Sequence, residues 1–90
     1  MATVYELTSE TATAAITYQG WESVVFVSGE FDGGRMVMEF SPDEVTWFAD
    51  RNLSFSFKGF ETFKIAPSVR YRFRMESTDN GTPSVVVKVA

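Results

Sequence analysis

The chain is 90 residues long, carries a net charge of −4, and has nine Phe, three Tyr and two Trp but neither Cys nor His. Disulfide frameworks, thiolate zinc sites, cysteine nucleophiles and histidine general bases are therefore all excluded. One domain of this size buries roughly 60–65% of its unfolded surface; with Leu7 and Leu53 its only leucines, the aromatic core material points to strands and away from a helical bundle.

Residues 1–11 (MATVYELTSET) hold a short strand candidate at Thr3–Leu7 followed by a polar run, and read as an N-terminal arm loosely tied to the domain or laid on a neighbour. Residues 12–90 then form a single domain. Small and β-branched residues fill 12–19 (ATAAITYQ), where Ala12, Ala14, Ile16 and Tyr18 share one face; the Thr and Ile beside Gly20 favour a strand over an Ala-rich helix. Between Trp21 and Ser28, the run Val24-Val25-Phe26-Val27 predicts burial on both faces, as for a central strand or an intersubunit strand. Asp32-Gly33-Gly34 has the chemistry of a primed hairpin turn, because Asp and Gly tolerate positive φ.

From Arg35 to Phe40 the pattern alternates, with Met36, Met38 and Phe40 inward and Arg35, Val37 and Glu39 outward. Ser41-Pro42-Asp43-Glu44 fits both a capped helix start and a β-turn; the β-rich Val45-Thr46-Trp47-Phe48 that follows favours the turn. Leu53, Phe55 and Phe57 alternate with Ser54, Ser56 and Lys58 as another half-buried strand, and residues 59–64 (GFETFK) read as a turn or a broken continuation. Pro67 ends that stretch, since proline cannot donate to a sheet ladder. Val69, Tyr71, Phe73 and Met75 alternate with Arg70, Arg72, Arg74 and Glu76 in a two-faced strand. A second loop with hairpin chemistry at Asp79-Asn80-Gly81 leads into Val85, Val87 and Val89 on one face. The sum is seven or eight short strands in an all-β antiparallel sandwich, jelly-roll-like or Ig-like.

The chain lacks an obvious catalytic constellation, and the expectation is a non-enzymatic protein without cofactor or metal. The acidic balance is uneven: residues 1–34 hold five acids and no base, and all eight bases lie in 35–90. A net negative charge disfavours binding to phosphate backbones. The arginines at 70, 72 and 74 face away from Tyr71 and Phe73, so they form a charged pairing face toward Glu39, Glu30 or Glu61. Asp32, Asp43, Glu44, Asp50 and Asp79 sit at turns without the alternating spacing of a calcium loop. Trp21 and Trp47 are candidates for a sugar-stacking platform, for core or for a subunit interface. No basic segment followed by an apolar run opens the chain, and no apolar run nears the ~20 residues of a membrane span. The expectation is a soluble chain made in a cytoplasm.

Gly29-Glu30-Phe31-Asp32-Gly33-Gly34, a strand, Ser41-Pro42-Asp43 and then Thr46-Trp47-Phe48 resemble a "GxFxGAxVxLxxSPDGxTW" segment of small bacteriophage virion proteins. Residues 65–73 (IAPSVRYRF) and 81–89 (GTPSVVVKV) resemble the Pro-bearing turn with alternating arginine and the last hairpin of the same class, so that the likeness spans roughly 24–89. Glu44 stands where that pattern has Gly, and the aromatic stretch 53–63 is longer. The resemblance implies a structural protein of a phage particle: a capsid decoration (cement) protein on the outer capsid surface, bound as a trimer to major capsid subunits, or else a neck, tail or tail-fibre component. Val4, Tyr5, Leu7, Trp21, Trp47, Phe60 and Phe63 are the expected contacts with capsid or sister subunits. A carbohydrate-binding module is the competing expectation.

Overall fold

The computed structural model describes residues 3–17 and 22–90, so the expectations for Tyr18 and Trp21 lie outside the described residues. Every regular element described is a strand: β1 (Thr3–Leu7), β2 (Ile16–Thr17), β3 (Ser23–Glu30), β4 (Arg35–Ser41), β5 (Phe48–Phe55), β6 (Gly59–Phe63), β7 (Arg70–Glu76) and β8 (Ser84–Val89). They form two four-stranded antiparallel sheets, β1-β8-β3-β6 and β2-β7-β4-β5.

The pairing follows one rule. β4 pairs with β5, β3 with β6, β2 with β7 and β1 with β8. The chain is thus one long hairpin whose tip lies between β4 and β5, rolled up so that β3 also zips onto β8 and β4 onto β7. This is the double-sheet jelly roll, and it decides against the Ig-like alternative.

The tip of the roll is the Ser-Pro-Asp segment. Ser41 is fully buried, and its Oγ accepts from the N–H groups of Asp43 (3.2 Å) and Glu44 (2.7 Å). Asp43 Oδ1 accepts from the N–H groups of Val45 and Thr46, both at 2.9 Å. These side-chain acceptors take the place of a ladder, and Glu44 at φ 62° turns the backbone left-handed, which no right-handed helix can continue. The segment is a turn, as expected.

The Asp32-Gly33 turn has the predicted primed geometry, with φ 52° and 73° and Gly34 N–H donating to Phe31 C=O at 2.9 Å. It does not, however, make a hairpin within one sheet: β3 and β4 lie in opposite sheets. Beyond the turn each strand has a better partner at once, Glu30 opposite Ser84 and Arg35 opposite Glu76. The turn at Asp32-Gly33 and the loop at Asp79-Asn80-Gly81, between β7 and β8, therefore both carry the chain from sheet to sheet.

The core is built from Phe73, Met36, Met38, Met75, Val25, Val85 and Val87, all essentially inaccessible. Each such side chain contributes about 1.5–3 kcal/mol of burial. An aromatic chain crosses between the layers: Tyr5 to Phe73 (5.2 Å between ring centroids), Phe73 to Tyr71 (5.8 Å) and Tyr71 to Phe63 (5.3 Å).

The architecture departs from expectation in several places. The proposed arm is not loose, because β1 pairs along its length with β8, and Leu7 is only 2% exposed. Among the described residues of 12–19, only Ile16–Thr17 form a strand, and Ala12 bridges to Arg74. Residues 59–64 are not a turn; Gly59–Phe63 is the edge strand β6. β3 is central but buried on one face only, since Val25 and Val27 point inward while Phe26 is 44% exposed. Finally, Phe57 is 77% exposed, because β5 ends at Phe55 and residues 56–58 bend across to the opposite sheet. Within β5 the ladder skips from Asp50 to Ser54, so Leu53 turns into the core from a wide irregularity. Such a break makes an exposed edge a poor template for a further strand.

Candidate interaction surface

The outer faces of the two sheets differ in kind. On the second sheet, the outward side of β4 and β7 carries two cross-strand ion pairs, and Val37, expected to face water, is buried there at 6% exposure. Arg35 Nε donates to Glu76 Oε1 at 3.0 Å and Arg72 Nε to Glu39 Oε1 at 2.8 Å. Of the three glutamates expected to meet the arginine stripe, Glu39 is the one that lies across the sheet from it; Glu30 and Glu61 belong to the first sheet. The Arg72 guanidinium also lies 4.1 Å from the centre of the Trp47 ring. Trp47 is thus half-buried beneath a cation, with one face of its ring covered. Arg70 reaches the Pro67 carbonyl at 3.4 Å, and Arg74 projects into solvent.

On the first sheet the outward residues are mixed, and among them Val4, Phe26 and Phe60 are exposed apolar side chains. Register places Val4, Lys88, Phe26 and Phe60 in one straight row across β1, β8, β3 and β6. Val4 is 51% exposed and Phe60 68%, and Phe26 and Phe60 stack with centroids 5.8 Å apart. Phe26, Phe60, Lys58 and Lys88 rim a shallow hollow of about 570 Å³. Leaving large aromatic rings in water forgoes their burial, so two stacked, exposed rings beside a further exposed valine and a lysine mark a contact surface.

The contact residues expected from sequence divide accordingly. Val4 and Phe60 lie on this face, and Tyr5 is half-buried against the core. Leu7 and Phe63 are corrected: they are core residues, 2% and 6% exposed, because both fall on the inward side of their strands. Phe26 and Lys88 were missed. The signal was present in the alternation of Val24, Phe26 and Ser28 against Ser23, Val25 and Val27, but an unbroken apolar run masks it.

The acids at the turns serve the turns. Asp32, at the sheet-crossing turn, accepts from the N–H of Thr82 (3.0 Å) and from the side chain (2.8 Å) and N–H (3.0 Å) of Asn80. These bonds hold its carboxyl below the ordinary carboxylate range. Bonds from Thr78, through both its hydroxyl and its N–H, do the same for Glu10, and bonds from the N–H groups of Thr46 and Val45 do so for Asp43. Burial pushes the Tyr5 phenol up. Among the described residues no three acidic, histidine or cysteine side chains gather to hold a metal, and no helix is long and apolar enough to cross a membrane.

The fold is similar to that of a hydroxypropylphosphonic acid epoxidase from S. wedmorenis solved in complex with fosfomycin, with a TM-score of 0.53 and 12% identity. The match takes in 97% of this chain but 41% of the epoxidase chain, so this chain spans less than half of that protein. At such identity the likeness is one of fold alone. No family model matches the sequence, and no curated protein does.

Proposed function

We propose that this chain is a non-enzymatic structural protein of a phage particle, a capsid decoration protein that binds the outer surface of the major capsid shell as an oligomer. The observation that carries the proposal is the exposed row Val4, Lys88, Phe26, Phe60 across one whole sheet, which leaves two aromatic rings and a valine open to contact with a capsid or a sister subunit. A two-layer roll with exposed aromatic rings on one outer face suits a clamp, which must add surface without adding chemistry. The virion setting itself rests on the Ser-Pro-Asp-Glu-Val-Thr-Trp segment and its flanking turns. Sugar binding through Trp47 is the weaker alternative, because Arg72 already occupies one face of that ring.

The test is cosedimentation. The purified chain is mixed with shells assembled from the major capsid protein of the same source genome, and the mixture is run on a density gradient. Comigration with the shells and a higher shell melting temperature are expected. A chain that stays at the top of the gradient overturns the decoration role, and comigration with tails instead assigns it to the neck or tail.

A further inference from the structure

The outer face of the first sheet mixes exposed apolar side chains with charges of opposite sign at its two edges, Glu6 on β1 and Lys58 beside β6. Its central row runs Val4, Lys88, Phe26, Phe60 from β1 to β6. The adjacent row runs Glu6, Val86, Ser28, with Lys58 next to Gly59 at the β6 end of the same hollow. We propose that this face binds a second copy of the same chain about a two-fold axis lying in the interface parallel to the strands. The proposal rests on reading this face as an interface, not on the capsid being its partner.

Such an axis keeps each row in place and reverses its order. Val4 then faces the partner's Phe60, and Lys88 lies over the ring of the partner's Phe26. In the second row Glu6 faces the partner's Lys58. Every contact occurs twice, once from each copy. Lysine over an aromatic face is a favourable cation–π arrangement, and a carboxylate against an ammonium at each corner fixes the register. Stacked sheets settle about 30° out of line because of their twist; the long Glu6 and Lys58 side chains absorb the offset this causes at the corners. The symmetry argues for two copies over three. A patch that complements itself closes as a dimer, whereas a three-fold ring needs two different patches per subunit.

A charge-reversal series with the full chain tests this, read by sedimentation velocity over a concentration series, with circular dichroism confirming the fold. The wild-type chain is expected to be a dimer that dissociates on dilution. Glu6→Lys and Lys58→Glu are each expected to weaken dimerisation about tenfold, since each reverses two symmetric contacts. The double variant Glu6→Lys/Lys58→Glu restores the complementary arrangement and is expected to return to within about threefold of wild type. Phe26→Ser, on the exposed face and away from the core, is expected to leave a folded monomer. A wild-type monomer at high concentration, a trimer, or a double variant no better than the singles overturns the proposal. A dimer that does not cosediment with capsid shells upholds it while removing the decoration role.

Discussion

Asp32 and Asn80 lie 48 residues apart in sequence and are joined by two hydrogen bonds, one from the Asn80 backbone N–H at 3.0 Å and one from its side-chain amide at 2.8 Å. Together with Thr82 N–H on the same carboxylate and Asp79 N–H on the Asp32 carbonyl, they fasten the two turns at which the chain crosses between sheets. The packing there is tight. A Cβ on Gly33 would overlap the Asp79 carboxylate, and one on Gly34 would meet the Glu76 carbonyl at 2.5 Å.

This junction predicts acid sensitivity. Asp32, Glu10 and Asp43 all titrate below their ordinary range in the folded chain. The unfolded chain therefore binds protons at a higher pH than the folded one does. Their stabilisation is present above the unfolded carboxylate pKa and is lost as pH falls through the folded values. Melting temperature followed from pH 7 to pH 2 is expected to fall steeply below about pH 4. Asp32→Asn is expected to lower it at neutral pH and to flatten the acid fall; an unchanged slope would contradict the role given to Asp32.

Glu44 offers a stabilising change. Its φ of 62° is a conformation that glycine adopts freely and other residues adopt at a cost. Glu44→Gly is expected to raise stability by about 0.5–1 kcal/mol in urea denaturation, with an unchanged m-value, after allowing for glycine's larger unfolded entropy. It is also the residue at which this chain departs from the Gly of the virion-protein pattern.

The two sides of β1 are expected to respond unequally. Leu7→Ala removes a core side chain and should cost about 2–5 kcal/mol. Val4→Ala, on the outer side of the same strand, should stay within about 0.5 kcal/mol when measured on dilute protein. Equal effects would mean that the strand acts as a unit tether and not through Leu7.

Arg72 ties Trp47 to Glu39. Arg72→Ala leaves a largely buried Glu39 carboxylate without its guanidinium and is expected to cost about 1–3 kcal/mol. The uncovered Trp47 ring should then emit at longer wavelength. In a double-mutant cycle, Glu39→Gln should cost markedly less in the Arg72→Ala background than in the wild type.

From sequence alone, the all-β class, the primed turn at Asp32-Gly33, the turn at Ser41-Pro42-Asp43 and the inward faces of β4, β7 and β8 are legible. Turn chemistry and two-residue alternation are local, and each is set by the φ preferences and polarity of neighbouring residues. The candidate surface was legible only in part: Val4 and Phe60 could be named, while Leu7 and Phe63 were assigned to it wrongly and Phe26 was read only as part of a run buried in a central or an intersubunit strand. Which strands pair was decided by the tertiary structure. An Asp-Gly turn reverses the chain in the same way whether its strands pair with each other or with strands 50 residues further on, and only the competing offers of β8 and β7 separated β3 from β4. The same holds for Phe26. Its alternation assigns it a face, but whether that face is covered depends on a layer that only the rolled hairpin could place on the other side.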